Sequence, residues 1–148
     1  MEQALALAEQ AGRAGDVPVG ALVVQDGRVV GQGYNRREVE GHPLLHAEMI
    51  ALSEAARTLG RWNLSDTTLV VTLEPCPMCT GALLQARVGR VVFGAFDLKA
   101  GCCGSLLCLP EDPRFATRCQ VLGGVLHERC AALLRAFFAA RREEGRVY

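Results

Sequence analysis

Hydrophobic and polar positions alternate along this chain with two periods, and the changes between them mark its elements. Ala4, Leu7, Ala8 and Ala11 recur at helical spacing, and the stretch from Gly12 to Asp16 is predicted to end that first helix. Two valine-rich runs then flank Asp26-Gly27 in VPVGALVVQDGRVVGQGYN, which predicts a β-hairpin over about residues 19 to 33. From His46, HAEMIALSEAARTL has a helical pattern with Glu48 in its first turn, where a carboxylate suits the positive helix end. TTLVVTL (67 to 73) is a continuous apolar run that suits a strand covered on both faces. A helix follows it, with Pro77 in the first turn, where the missing N–H costs nothing. RVVFGAF (90 to 96) and RCQVL (118 to 122) read as strands, separated by a loop broken by glycines and prolines. Cys130, Leu133, Leu134, Phe137 and Phe138 then form one face of a last amphipathic helix. The order predicts an α/β layered domain with a mixed sheet, its first strands antiparallel and its later ones joined by helical crossovers.

The 148 residues suffice for one domain spanning 1 to 148, half of them hydrophobic and 22% charged, with no apolar run long enough to span a bilayer. The start, MEQALALAEQ, lacks the basic flank and apolar core of a secretory signal, so a cytoplasmic location is expected, where seven cysteines stay reduced. Sixteen basic residues balance sixteen acidic ones, which argues against a broad basic nucleic-acid surface. The balance is uneven, however. Residues 1 to 113 hold 9 Lys/Arg against 13 Asp/Glu (net −4), while residues 114 to 148 hold 7 Arg against 3 acids (net +4). That end can meet phosphates or be an arginine-rich solvated face.

The chemistry concentrates in HAE (46 to 48) and PCPMC (75 to 79). Both fragments sit at helix starts, and in open α/β sheets such starts converge on the crevice beyond the strand ends. His46, Cys76 and Cys79 would give a zinc ion three protein ligands and leave a fourth position for water. Glu48 is placed to touch that water rather than the metal, as in the HxE…PCxxC signature of zinc nucleobase deaminases. Two alternatives remain: a thioredoxin-like redox pair, and a closed structural zinc site completed by Cys102 or Cys103. The five cysteines outside the pair (102, 103, 108, 119 and 130) read as buried small apolar residues.

Through DVPVGALVV, GYNR, HAEMIAL, TLEPCPMCTGAL, RVVFGAFD, AGCCGSL and CAALLRAFF, nearly the whole chain resembles the bacterial tRNA-specific adenosine deaminases of the cytidine-deaminase-like superfamily. The resemblance implies a three-layer α/β/α sandwich on a mixed five-stranded sheet, one zinc ion per subunit, a homodimer and a tRNA anticodon stem-loop as partner. It implies conversion of the wobble adenosine to inosine, a zinc-activated water attacking C6 of a flipped-out adenine while Glu48 shuttles protons. On the same ground Asn35 hydrogen-bonds the base, Asp97 and Lys99 lie near the RNA around it, and Phe138, Arg141 and Arg142 belong to a terminal helix meeting the stem-loop. From spacing alone Asn35 is a turn residue and Phe138 part of an apolar stripe. His42-Pro43-Leu44-Leu45 and Phe96 depart from what relatives often show. A deaminase of free bases or nucleosides and a zinc-stabilised RNA-binding protein are the competing functions.

Overall fold

In the computed structural model, which describes residues 1–146, the chain runs α1 (Glu2–Ala14), β1 (Gly20–Gln25), β2 (Arg28–Tyr34), α2 (Ala47–Leu59), β3 (Thr68–Leu73), α3 (Pro77–Gln85), β4 (Arg90–Ala95), β5 (Gln120–Leu122) and α4 (His127–Glu143). The first helix ends inside the expected stretch: Gly12 is still helical, and the stop comes at Gly15. There a left-handed backbone (φ 97°) lets the amide reach back to the carbonyls of Ala11 and Gly12. The hairpin turns at Asp26 (φ 48°) and Gly27 (φ 74°), both left-handed, as a two-residue turn matched to strand twist requires.

The strands form one sheet in the order β2-β1-β3-β4-β5. β1 pairs antiparallel with β2 and β3, while β3–β4 and β4–β5 are parallel, so the sheet is mixed as expected. Alternation along the strands sorts side chains into two layers. Ala21, Val23, Leu69, Val71, Val91 and Phe93 face α2 and α3 and build the larger core. On the other face Leu22 meets Ala4 and Leu7 of α1, and Ala95 meets Leu5 and Cys130, which joins α4 to the same layer. The result is the α/β/α sandwich. α2 can lie close on β2 because that strand offers glycines: a Cβ at Gly31 would stand 2.3 Å from the Ala51 carbonyl oxygen.

One later connection is a helical crossover, with α3 joining β3 to β4, whereas β4 reaches β5 through the expected loop, residues 96–119, which contain only a short 3₁₀ turn (Leu109–Glu111) and one isolated bridge between Cys103 and Cys108. Gly101, Gly104, Pro110 and Pro113 forbid a long helix there. Of the five cysteines expected to be buried, Cys102, Cys103, Cys119 and Cys130 are, whereas Cys108 is half-buried at the end of that bridge. Among the described residues no helix is long and apolar enough to cross a membrane.

Candidate metal centre and base pocket

Because β1 runs against β3, the start of the hairpin and the end of β3 lie on the same edge, and two helices begin there. His46 is the N-cap of α2 and Cys76 the N-cap of α3, both with extended backbone (φ −72° and −73°). Such positions usually hold a Ser, Thr, Asp or Asn whose side chain satisfies an open helix N–H. Here neither side chain caps its helix; both turn into the crevice instead. Pro77 opens α3 and Cys79 follows within its first turn, so the two thiols come from one rigid strand-to-helix junction.

His46 Nδ1 lies 3.6 Å from Sγ of both Cys76 and Cys79, and the three donor atoms are all within 4.8 Å of one another. Tetrahedral zinc with ordinary Zn–N and Zn–S lengths demands an N···S edge of about 3.6 Å, so the donor set fits that ion. Cys102 and Cys103 do not join the cluster: the Cys102 thiol points at the Ala100 carbonyl (3.5 Å) and Cys103 Sγ sits 3.6 Å from the Thr80 hydroxyl. Geometry therefore favours three protein ligands over a closed site of four. The imidazole beside both sulfurs is equally unlike a simple redox pair.

Of this trio only Cys76 is held in the charged form that a cation requires. A hydrogen bond from Cys79, reinforced by His46, holds the Cys76 thiol down to about 4. The same hydrogen bond, together with burial, raises Cys79, and the bond to Cys76 raises His46 against the effect of its burial. Glu48, 4% exposed in the first turn of α2, is pushed up to about 7, chiefly by burial. A carboxyl poised there can both take and give a proton at neutral pH.

His46, Cys76 and Glu48 line a cavity of ≈ 270 Å³. That is near the lower end of small-molecule sites, about 300–1,000 Å³. Asn35, Asp97 and Phe138 border it, as do Arg37, Ala100 and Glu74. A larger groove of ≈ 460 Å³ lies between α1, β2 and α2 and includes none of the ligating side chains. Asn35 is 8% exposed and is engaged as a turn residue: Nδ2 donates to the Val17 carbonyl (3.2 Å) and Oδ1 accepts from the Arg37 amide (3.4 Å). One N–H and one lone pair remain free by count to meet a ligand.

The other RNA-contact candidates are dispersed. Lys99 is exposed near the rim, and Arg142 is exposed on α4 beyond it. Arg141 is engaged within the fold: Nη2 donates to the Gly15 carbonyl (2.6 Å), Nη1 meets Glu144 (3.3 Å), and its side chain is only 13% exposed. Phe96, 48% exposed, packs edge-on against Phe93 at 5.2 Å.

Two buried carboxylates were missed by motif reading. Asp16, wholly buried, accepts the amides of Val17, Glu38 and Val39, tying the segment before His46 to the end of α1. Glu74, 1% exposed, does the same for the loop after β4. The only sequence signal was an acid inside an otherwise apolar stretch, in DVPVG and TLEPC.

The cytidine and deoxycytidylate deaminase zinc-binding region matches residues 1–95. The tRNA-specific adenosine deaminase of Bacillus subtilis is 46% identical over 147 residues, spanning 99% of this chain and 91% of that protein. A solved tRNA:A34 deaminase, which edits A to I at the wobble position of transfer RNA, superposes with a TM-score of 0.86 at 36% identity, covering 90% of this chain and 97% of its own. The guanine deaminase from Nitrosomonas europaea superposes at 0.78 with 28% identity, covering 93% and 82%.

Proposed function

Since the chain belongs to the cytidine and deoxycytidylate deaminase zinc-binding family, with tRNA-specific adenosine deaminases among its relatives, we propose that it hydrolyses the wobble adenosine of a tRNA anticodon to inosine. What carries the reading is one juxtaposition: His46, Cys76 and a buried Glu48 line one base-sized pocket, and buried Cys79 completes the zinc-type donor trio. Identity of 46% along nearly the full chain, against 28% to a guanine deaminase, favours adenosine in RNA over a free base.

In this proposal His46, Cys76 and Cys79 hold one zinc ion, and residues 1–148 act as one unit. Bound there, zinc supplies the acidity that turns water into a nucleophile at neutral pH. Glu48 does the proton work. Its carboxylate accepts a proton from the attacking water and passes it to N1 of the adenine, then takes the proton left on the oxygen added at C6 and delivers it to the departing amine. Water and adenosine thus become inosine and ammonia. A carboxyl held near 7 is suited to every one of those transfers, because neither protonation state is strongly disfavoured.

Asn35, held by its two backbone contacts, keeps hydrogen-bonding capacity for the edge of the purine, and Phe138 offers an aromatic face at the mouth. C6 is buried within a stacked duplex, so the base is taken from a single-stranded loop and turned into the cavity. The anticodon stem-loop is the element proposed to dock, with Asp97 and Lys99 beside the target and Arg142 reaching for phosphates. Two copies pairing in the cytoplasm complete the reading.

The test uses zinc-loaded protein incubated with tRNA, free nucleosides and free guanine, followed by mass spectrometry. Inosine in the anticodon loop alone is the expected result. Xanthine from guanine with no inosine would reassign the substrate.

A further inference from the structure

Glu74 lies between the last residue of β3 and the Pro75-Cys76 step, with 1% of its surface exposed. Its two oxygens are filled from a single loop. Oε1 accepts the amides of Cys103 (3.1 Å) and Ser105 (2.9 Å); Oε2 accepts the amide of Asp97 (3.0 Å) and the hydroxyl of Ser105. Among the described residues these four donors meet the carboxylate, an arrangement that neither an amide nor an alcohol reproduces. The loop is fitted to it closely. A Cβ at Gly101 would come within 2.4 Å of the Glu74 carboxyl, and the next amide, of Cys102, donates to the Pro75 carbonyl at 2.9 Å.

Farther along, the loop is also seated by Cys103, Leu109 and Cys119 in the main core, but its end at residues 97–100 is positioned through Glu74. Residues 96–119 include no strand and no α-helix, yet they supply Asp97 and Ala100 to the wall of the base pocket. Asp97 in turn accepts the amides of Lys99 (2.9 Å) and Ala100 (3.1 Å), so the position of that wall is passed from Glu74 through the Asp97 turn. The same Glu74 is joined by two peptide bonds to Cys76. Its carboxylate thereby ties the metal-ligand junction and the facing wall of the pocket into one rigid body.

We propose that Glu74 is a positioning residue of the reaction: its carboxylate holds the wall made by Asp97 and Ala100 in register with Cys76, so that a bound base meets Glu48 at the correct distance. The assignment rests on the deaminase reading above. It differs from a role in folding alone, because it predicts that the chemical step suffers while RNA binding, made largely outside the pocket, does not.

The experiment compares wild type, Glu74→Gln and Ser105→Ala as full-length zinc-loaded proteins. Glutamine keeps the shape but turns an NH₂ group toward loop donors. Zinc content of Glu74→Gln should equal that of wild type, kcat on an anticodon stem-loop should fall about 10- to 100-fold, and KM should hold. Amide hydrogen exchange gives a second readout that needs no activity: Asp97, Cys103 and Ser105 should exchange about tenfold faster or more, while β1 and β3 stay protected. Ser105→Ala, which removes one donor at the loop, should show a smaller fall in kcat in the same direction. A wild-type kcat in Glu74→Gln overturns the proposal, as does unaltered exchange at the three amides, or a loss that merely tracks lost zinc or folded protein. If Glu74→Gln does not fold, Ser105→Ala decides: wild-type kcat and exchange there overturn it. Absence of inosine with wild type itself refutes the deaminase reading, and the exchange comparison still reports on the clamp.

Discussion

Replacing Arg141 by alanine tests whether the arginine that the resemblance assigns to the stem-loop instead braces the fold. The guanidinium donates to the Gly15 carbonyl at 2.6 Å, lies 5.1 Å from the centre of the Phe137 ring and is 13% exposed, so it braces α4 against the end of α1. A hydrogen bond from a charged group contributes about 1.5–3 kcal/mol. A partly desolvated cation–π contact adds about 0.5–1 kcal/mol. The Glu144 pair is half exposed and adds little. Arg141→Ala should therefore cost about 2–4 kcal/mol. For a chain of this size that corresponds to a fall in Tm of about 4–16 °C. Exposed Arg142 serves as the control. Arg142→Ala should leave Tm unchanged and reduce the slope of log affinity against log salt for a stem-loop by about 0.7–0.9, one phosphate contact. Calorimetric melting and RNA binding between low and moderate salt measure both quantities. If Arg141→Ala melts with wild type and flattens the salt slope instead, the brace is refuted and Arg141 is a phosphate ligand.

Glu48→Gln should keep its zinc, measured by metal analysis, while turnover falls about 10²- to 10⁴-fold, the usual worth of a general acid–base group; full activity would remove the shuttle. Asp16→Ala strands the amides of Glu38 and Val39 and should cost about 2–4 kcal/mol, read as a lower urea midpoint with an unchanged slope. Zinc uptake should release about one to two protons near neutrality. Cys79 is raised and must lose its proton to bind, and His46, also raised, gives up the fraction it holds. Zinc affinity should accordingly climb with pH, and collapse on acidification as Cys76 protonates around its value of about 4. Titration with a pH indicator checks this, and an affinity flat between about pH 6 and 8 contradicts it.

The ligands were legible because chemistry constrains them locally. HAE and PCPMC each sit within a single helix turn, and local spacing carries that information whatever the rest of the chain does. The hairpin was legible for the same reason, since Asp26-Gly27 alone satisfies a turn with two left-handed residues. Elements defined by partners far away were not. Nothing in the spacing of GDVPVG or TLEPC indicates that Asp16 will accept amides 22 and 23 residues later, or that Glu74 will clamp residues 23 to 31 residues on. The stretch from Gly12 to Asp16 reads as a helix stop, but no spacing shows that the Gly15 carbonyl within it accepts from Arg141 across 126 residues.

By itself the sequence determined the order of elements, the mixed sheet, the three donors and the carboxyl beside them, because periodicity and short-range turn chemistry act within a few residues. Only the tertiary structure decided that Cys102 and Cys103 stand outside the metal cluster, that Arg141 braces the fold and that a loop without regular structure is nailed to Glu74. Those outcomes depend on where buried N–H and C=O groups find partners once the layers close, and that accounting is settled only when distant segments meet in space.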